Sequence, residues 1–221
     1  ADGRVGLDTR GGAVTARTAN RLVVPVDAET GALASMRGAG GGELIERPLE
    51  PHFWRAPVDN DRGNNMPDRH GVWREAGASW RCDAVTAEVD ADGNAVIRAE
   101  GEIVAVRAPY RLTYTVRPNG EVHVSAEMDA PGGEGVPAIP RFGVRLGVDA
   151  GLAGLTWYGR GPEETTWDRD EVPLGRWTGA VGEQSFPYSE PQETGTHVST
   201  RWLALHDDRG RGLAVFADPA G

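Results

Sequence analysis

Turn-forming residues are so frequent in this chain that they leave little room for long helices. The 221 residues include 31 glycines and 15 prolines, spread along the whole sequence, and such punctuation is typical of many short strands. Between the turns, polar and apolar residues alternate: Arg111–Arg117 places Leu112 and Tyr114 on one face, and Arg141–Val148 alternates in the same way with Phe142 facing inward. Alternation of this kind predicts half-buried antiparallel strands. We count roughly ten to thirteen strands and almost no helix, which predicts an all-β fold, a large antiparallel sandwich.

Two stretches depart from this strand pattern. Ala1–Gly12 is rich in glycine, aspartate and arginine, so we expect a linker or a disordered lead-in there. We expect one domain over residues 13–221, incomplete at its C-terminal end because the sequence stops on a strand pattern. Within it, Arg47–Arg69 has neither a strand nor a helix pattern, which predicts a long functional loop. Gly71–Gly77 predicts one or two helical turns ending at a glycine.

Composition excludes several classes of function. The chain has 23 basic residues, all of them arginine, against 33 acidic residues, for a net charge of −10. This balance argues against nucleic acid and against anionic membrane surfaces as partners, and the absence of lysine excludes Schiff-base chemistry. Cys82 is the only cysteine, so no intrachain disulfide can form and a reducing compartment is the simpler expectation. With no apolar run near 18 residues and no signal-peptide pattern, we expect a cytoplasmic, bacterial protein.

A first polar segment, Phe53–Gly63, combines two aromatic residues, a guanidinium and two carboxylates within its first nine positions. Aromatic faces stack on sugar rings, and Asp and Asn side chains hydrogen-bond to sugar hydroxyls; paired carboxylates could also perform acid–base chemistry. The alternative is a buried aromatic anchor followed by Asx turns. Calcium binding has little support because the spacing does not fit an EF-hand. The candidate residues of this segment are Arg55, Asp59, Asn60, Asp61 and Gly63.

A second segment, Trp157–Arg169, places a glycine- and proline-rich turn after a strand. It does not fit a dinucleotide-binding fingerprint, so phosphate binding is not expected. Glu164, Asp168 and Arg169 are its candidate residues. They could contact a sugar, or they could belong to a structural turn with ion pairs.

A third segment, Pro187–Leu205, contains Glu193 and His197 on either side of a glycine turn, followed by Trp202. The first two could form an acid–base pair near a sugar ring. The alternative is that Glu193 caps backbone N–H groups at the turn while His197 is an ordinary strand residue that faces solvent. The remaining histidines have no metal-ligand spacing, so we assign no metal site.

These three segments, in this order, resemble the C-terminal, fifth and small-chain-like domain of β-galactosidases of glycoside hydrolase family 2, truncated at its C-terminal end. The residues that carry the resemblance fit the patterns F-x-R-A-P-x-D-N-D-x-G, G-x-G-P-x-E-x-x-x-D-R and P-Y-x-x-P-Q-E-x-G. They are Phe53, Arg55, Ala56, Pro57, Asp59, Asn60, Asp61, Gly63, Gly159, Gly161, Pro162, Glu164, Asp168, Arg169, Pro187, Tyr188, Pro191, Gln192, Glu193 and Gly195. The chain departs from the family pattern at Thr166, Thr194 and His197, where tyrosine, asparagine and arginine are usual.

The resemblance implies a galactose mutarotase-like supersandwich. It also implies a non-catalytic role, because family 2 enzymes are retaining and carry both catalytic carboxylates on a TIM barrel. The chain would pack against that barrel and supply Arg55–Arg69 as a mobile rim of the sugar site, with Gly63 as a hinge. The β-galactoside would be a partner only in the full enzyme, which could be a homo-oligomer. Any Mg²⁺ or Na⁺ of the parent enzyme would be bound chiefly outside this chain.

Two other functions remain open from the sequence. One is a free-standing carbohydrate-binding module or an aldose 1-epimerase-like protein on the same fold, which needs a general acid and a general base. Glu190 or Glu193, together with His123 or His197, could supply them. The other is an interdomain scaffold that binds no ligand.

Overall fold

The computed structural model describes residues 3–38, 40–166 and 168–217, and these residues form thirteen strands and three short α-helices. The strands are β1 (Gly6–Asp8), β2 (Ala13–Arg17), β3 (Val23–Asp27), β4 (Ile45–His52), β5 (Trp80–Val89), β6 (Ala95–Ile103), β7 (Ala108–Val116), β8 (Val122–Met128), β9 (Gly143–Val148), β10 (Gly154–Arg160), β11 (Leu174–Ala180), β12 (Trp202–His206) and β13 (Gly212–Phe216). The helices are α1 (Asp59–Gly63), α2 (Met66–Arg69) and α3 (Val72–Ala76). All pairings between these strands are antiparallel, which confirms the predicted all-β class.

The chain divides into two compact units. The first contains Ala1–Arg55 and Asn65–Val148, and the second contains Ala56–Asn64 and Asp149–Gly221. The first unit holds sheets of order β1-β2-β3, β4-β9 and β5-β6-β7-β8, and the second holds one sheet of order β11-β10-β12-β13. A single domain over residues 13–221, with a supersandwich arrangement, stays a prediction.

The alternation of the first unit's four-stranded sheet follows the sequence pattern. On β7, Leu112 and Tyr114 are fully buried, as is Ile97 on β6. On the opposite face, the Arg111 guanidinium pairs with Glu100 of β6 at 2.9 Å and with Glu127 of β8 at 2.8 Å. Apolar side chains gain from leaving water while charged ones stay solvated, so each strand alternates between the two environments.

An aromatic cluster anchors the end of β4. The Phe53 ring is buried and makes edge contacts with Trp73 at 5.6 Å and with Tyr110 at 5.9 Å between ring centroids. Phe142 also approaches Phe53 at 5.9 Å, yet 47% of its surface is exposed. The sequence prediction that Phe142 faces inward is therefore only half right, because one side of its ring packs on the cluster and the other meets solvent.

The prediction that Arg47–Arg69 lacks regular structure is wrong. Strand β4 runs through this stretch as far as His52, and α1 and α2 follow. Pro48 and Pro51 are tolerated because β4 has a single partner, β9, with two register shifts along the pair, and a strand with an open edge has N–H positions that bond to no neighbour. The predicted helical turns over Gly71–Gly77 are confirmed by α3.

The structure also corrects the expected loose lead-in over residues 1–12. Strand β1 pairs with β2 there, with Gly6 opposite Arg17. Val5 is buried, and its N–H donates to the Gly93 carbonyl at 2.9 Å. These backbone bonds and the burial of Val5 hold a segment whose composition predicted mobility; residues 1 and 2 lie outside the described part of the chain.

Candidate functional site

The first polar segment contributes a short helix-bearing loop, Ala56–Asn64, to the second unit. Asp61, the third residue of α1, caps the start of this helix, because its buried side chain accepts the backbone N–H of Val58 through Oδ2 at 2.9 Å. Side-chain acceptors satisfy N–H groups that have no partner inside a helix. Arg62 at the end of α1 donates to Asp59 Oδ1 at 3.3 Å and to the carbonyl of Pro191. The loop is thus tied to the third segment.

Glu193 forms the other attachment of this loop. Its Oε2 accepts the backbone N–H of Ala56 at 2.9 Å, and its Oε1 accepts the hydroxyl of Thr196 at 3.1 Å. A carboxylate that accepts a backbone N–H makes a charge-assisted hydrogen bond, which is stronger than a neutral one. The side chain therefore fixes the start of the loop at Ala56, so the backbone N–H that it caps lies in the first segment and not at the glycine turn.

Glu164 performs a similar task between the second and third segments. Its two carboxylate oxygens accept the Tyr188 hydroxyl at 2.7 Å and the Gly195 backbone N–H. The hydrogen bond to this carboxylate also raises the pKa of Tyr188, since it favours the protonated phenol. Arg169 donates from Nη2 to the Glu164 carbonyl at 3.0 Å. Three segments far apart in the sequence are thus joined through Glu164 and Glu193.

Asp168 lies at the exposed end of the second segment. Its Oδ1 accepts the Thr166 hydroxyl at 2.7 Å, and Thr166 and Arg169 form an isolated antiparallel bridge around it. This geometry is a closed turn, as in the structural alternative, but its bonds are to a hydroxyl and to a backbone carbonyl, so the ion pairs of that alternative stay a prediction.

The His197 imidazole is half-buried and belongs to none of the strands listed above, so the alternative of a solvent-facing strand residue is wrong. The imidazole contacts the Trp157 ring and the Gln184 side-chain amide. Its ring lies 4.4 Å from that of Trp157, tilted by 36°, and its Nε2 is 3.1 Å from Oε1 of Gln184. Its Nδ1 is buried and has no hydrogen-bond partner among the described residues. Burial lowers the pKa of His197, because the charged imidazolium loses hydration. His197 contacts Trp157 and Gln184, whereas Glu193 accepts hydrogen bonds from Ala56 and Thr196. An acid–base pair between His197 and Glu193 therefore stays a prediction.

Trp202 lies on β12 directly opposite Tyr158 of β10, with the two rings 6.4 Å apart and 25° from parallel. The Arg201 guanidinium lies 5.9 Å from the centre of the Tyr158 ring. A half-buried pair of this kind stabilises the sheet surface. Its contacts are to neighbouring strands of the second unit.

The other candidates of the first segment lie at its surface. Asn60 and Gly63 are exposed on α1, and Arg55 is half-buried. A Cβ on Gly63 would meet no atom within 4 Å, and its φ is outside the left-handed region. The observed conformation therefore does not itself require glycine, and the hinge role stays a prediction.

Sequence reasoning missed two residues that organise this network. Thr165 is completely buried; its N–H donates to the Thr196 carbonyl and its Oγ1 accepts the Val198 N–H, both at 2.8 Å. Gln184 binds His197, as described above, and also donates to the Ala180 carbonyl at 3.0 Å. Neither residue type has a distinctive spacing, so only the folded arrangement reveals them.

Metal-binding clusters and membrane-spanning helices are both absent from the described residues. No group of three or more His, Cys, Asp or Glu side chains is arranged there to hold a metal ion. The helices of the described ranges are all too short and too polar to cross a bilayer.

The antiparallel sheets define an all-β protein, and carboxylates of its second unit fasten a polar loop. The chain belongs to the β-galactosidase small chain family, whose family model matches residues 18–219. This assignment agrees with the resemblance carried by the three segments.

Individual relatives give the same assignment. The chain is 37% identical over 178 residues to the β-galactosidase of Priestia megaterium, an alignment that covers 80% of this chain and 17% of that protein. It is 38% identical over 181 residues to the β-galactosidase of Lactobacillus delbrueckii subsp. bulgaricus, covering 81% and 18%. It is 28% identical over 198 residues to the β-galactosidase small subunit of Latilactobacillus sakei, covering 80% and 61%. The chain thus spans less than a fifth of the length of the first two relatives.

Proposed function

We propose that this chain is a non-catalytic domain of a retaining β-galactosidase that packs against the catalytic barrel and supplies a loop to the rim of the sugar-binding site. The observation that carries the proposal is the attachment of Ala56–Asn64. Glu193 accepts the Ala56 N–H, Arg62 donates to the Pro191 carbonyl, and the tip of the loop is left in solvent.

The difference in exposure between the base and the tip of the Ala56–Asn64 loop supports a positioning role for this loop. Asp61 is buried and caps α1, whereas 84% of the Asp59 side chain is exposed. An exposed carboxylate on a loop with a fixed base can hydrogen-bond to a sugar hydroxyl or to a neighbouring domain without rearranging its own support. Asp59 and Asn60 are therefore the side chains that we propose for the rim.

The comparisons support two forms of the parent enzyme. Alignment to less than a fifth of long β-galactosidases favours a domain of a single chain, and alignment to 61% of a protein named a small subunit favours a separate subunit. In both forms the catalytic carboxylates would come from the barrel. We further propose that Mg²⁺ and Na⁺ of the parent are bound by that larger part, and that the enzyme acts in the cytoplasm.

Kinetics of the complete β-galactosidase that contains this chain test the proposal. We expect Asp59→Ala to lower kcat/KM for a β-galactoside about tenfold, the effect of losing one hydrogen bond to a charged group, ~1.4 kcal/mol. The matched control is Asp92→Ala, which removes an exposed carboxylate from the turn between β5 and β6 and should leave both constants unchanged.

Unchanged kcat and KM in Asp59→Ala would refute the rim role. An aldose 1-epimerase would instead be indicated if the 221-residue chain alone accelerated mutarotation of galactose. That activity would require abandoning the galactosidase proposal.

A further inference from the structure

A cleft of about 550 Å³ opens on the second unit. None of its lining residues belongs to the Ala56–Asn64 loop. Its aromatic wall consists of Phe186 and Tyr188, whose ring centroids are 4.7 Å apart with planes at 57°. Phe186 is 60% exposed. A volume of this size lies in the range of small-molecule sites, about 300–1,000 Å³.

Some polar groups of the cleft form hydrogen bonds within the protein, and others are available to bind a ligand. Glu164 accepts two hydrogen bonds and the Tyr188 hydroxyl donates one of them, so this pair is occupied within the protein. Glu183 accepts the Ala180 N–H at 3.0 Å. In contrast, the exposed Glu163 carboxylate and Ser185 hydroxyl make no hydrogen bond or ion pair within the described ranges.

The Phe186 backbone and the Tyr188 ring are both held by hydrogen bonds within the protein. The Phe186 N–H donates to the Thr194 hydroxyl at 2.8 Å, and the Tyr188 ring is fixed by its hydroxyl bond to Glu164. Fixed side chains lose little conformational freedom when they bind, which favours recognition.

We propose that this cleft binds a neutral pyranoside, with the apolar face of the sugar ring on Phe186 and its hydroxyls hydrogen-bonded to Glu163 and Ser185. Aromatic faces provide large apolar area with specific geometry, and hydroxyl groups can donate to a carboxylate and also accept from a serine. The site goes beyond the proposed function, because it consists entirely of residues of this chain and needs no contribution from a barrel.

The charge of the lining narrows the class of ligand. Glu163, Glu164 and Glu183 outnumber Arg169, so an anionic sugar is disfavoured. A cationic ligand is the competing occupant, since ammonium and guanidinium groups also bind at aromatic faces near carboxylates. Neutral sugar is favoured here because the available groups are one carboxylate and one hydroxyl beside an aromatic ring, and the neighbouring hydroxyls of a pyranoside can donate to the first and accept from the second.

Amide NMR of the 221-residue chain tests the site. Titration with methyl β-D-galactopyranoside should produce saturable shifts at Ser185 and Phe186, with a Kd on the order of 1 mM, as expected for a small ligand in an open cleft. Phe186→Ala should weaken binding at least about tenfold, whereas Phe186→Tyr should retain it because the ring face remains. Because Phe186 is largely exposed, its replacement should leave the amide spectrum otherwise native.

Matched variants complete the experiment. Glu163→Gln should weaken binding, and Glu171→Gln and Leu174→Ala, which change exposed residues outside the cleft, should not. Linear shifts without saturation, or equal affinity in Phe186→Ala and wild type, would overturn the proposal. Tighter binding of arginine amide than of the galactoside would overturn it in favour of a cationic ligand. None of these outcomes depends on the kinetic effect of Asp59→Ala, so the two proposals can fail separately.

Discussion

Two buried tyrosines on β7 provide a sharp test of the energetics of the first unit. Tyr110 and Tyr114 are 3% and 0% exposed. The Tyr114 hydroxyl donates to the Gly31 carbonyl at 3.0 Å, while the Tyr110 hydroxyl has no partner within the described ranges. Burial raises the pKa of both phenols, so both are neutral at ordinary pH. We predict that removing the two hydroxyls changes stability in different ways.

The expected change in unfolding free energy depends on whether the removed hydroxyl has a hydrogen-bond partner. Tyr114→Phe keeps the ring but strips the buried Gly31 carbonyl of its donor, which costs about 1–3 kcal/mol of unfolding free energy. Tyr110→Phe removes a hydroxyl that is desolvated without compensation, so the unfolding free energy should stay equal or rise by about 1 kcal/mol. The two variants should therefore differ by about 2 kcal/mol in unfolding free energy.

Urea unfolding, followed by tryptophan fluorescence and far-ultraviolet circular dichroism, measures this difference. With a slope of about 2 kcal/mol per molar urea, the midpoints of the variants should lie about 1 M apart, with Tyr114→Phe lower. Equal midpoints, or a lower midpoint for Tyr110→Phe, would refute the hydrogen-bond argument. A change in the slope would instead point to altered cooperativity.

Two further predictions concern the second unit. Glu193→Ala should speed hydrogen exchange at the Ala56 N–H by at least about tenfold, because its acceptor is lost, while Glu190→Ala should not. The folded-state pKa of His197 is lowered by burial, so the unfolded chain binds this proton more readily and stability should fall as pH drops below the ordinary value of 6.5. His197→Gln should reduce that loss between pH 7.5 and 5.5 in urea unfolding; an unchanged pH dependence would contradict the role of burial.

Strands with one apolar face could be predicted from the sequence. Leu112 and Tyr114 alternate with polar neighbours on β7 and are buried as predicted. Strand β1, by contrast, has only three residues and depends on pairing with β2. A strand too short to show alternation can be recognised only when its partner is known.

The candidate site could be predicted from the sequence only in part, for a related reason. The acidic side chains Glu164 and Glu193 were singled out from their sequence context, but their main partners include backbone N–H groups of Gly195 and Ala56. Every residue except proline carries such a donor, so no residue type signals it. The short helix α1 was missed because it is five residues long, less than two turns of an α-helix.

The hydrogen bonds of the polar loop also determine how its substitutions must be interpreted. Glu193 holds the loop at Ala56, whereas Asp59 is exposed at the tip. Loss of activity in a Glu193 variant would therefore report movement of the loop, since the carboxylate is already occupied within the protein. Loss of activity in an Asp59 variant would report a contact outside this chain, because the ion pair of Asp59 with Arg62 is exposed and contributes little. Only the second kind of loss measures what the domain offers to a sugar or to the catalytic barrel.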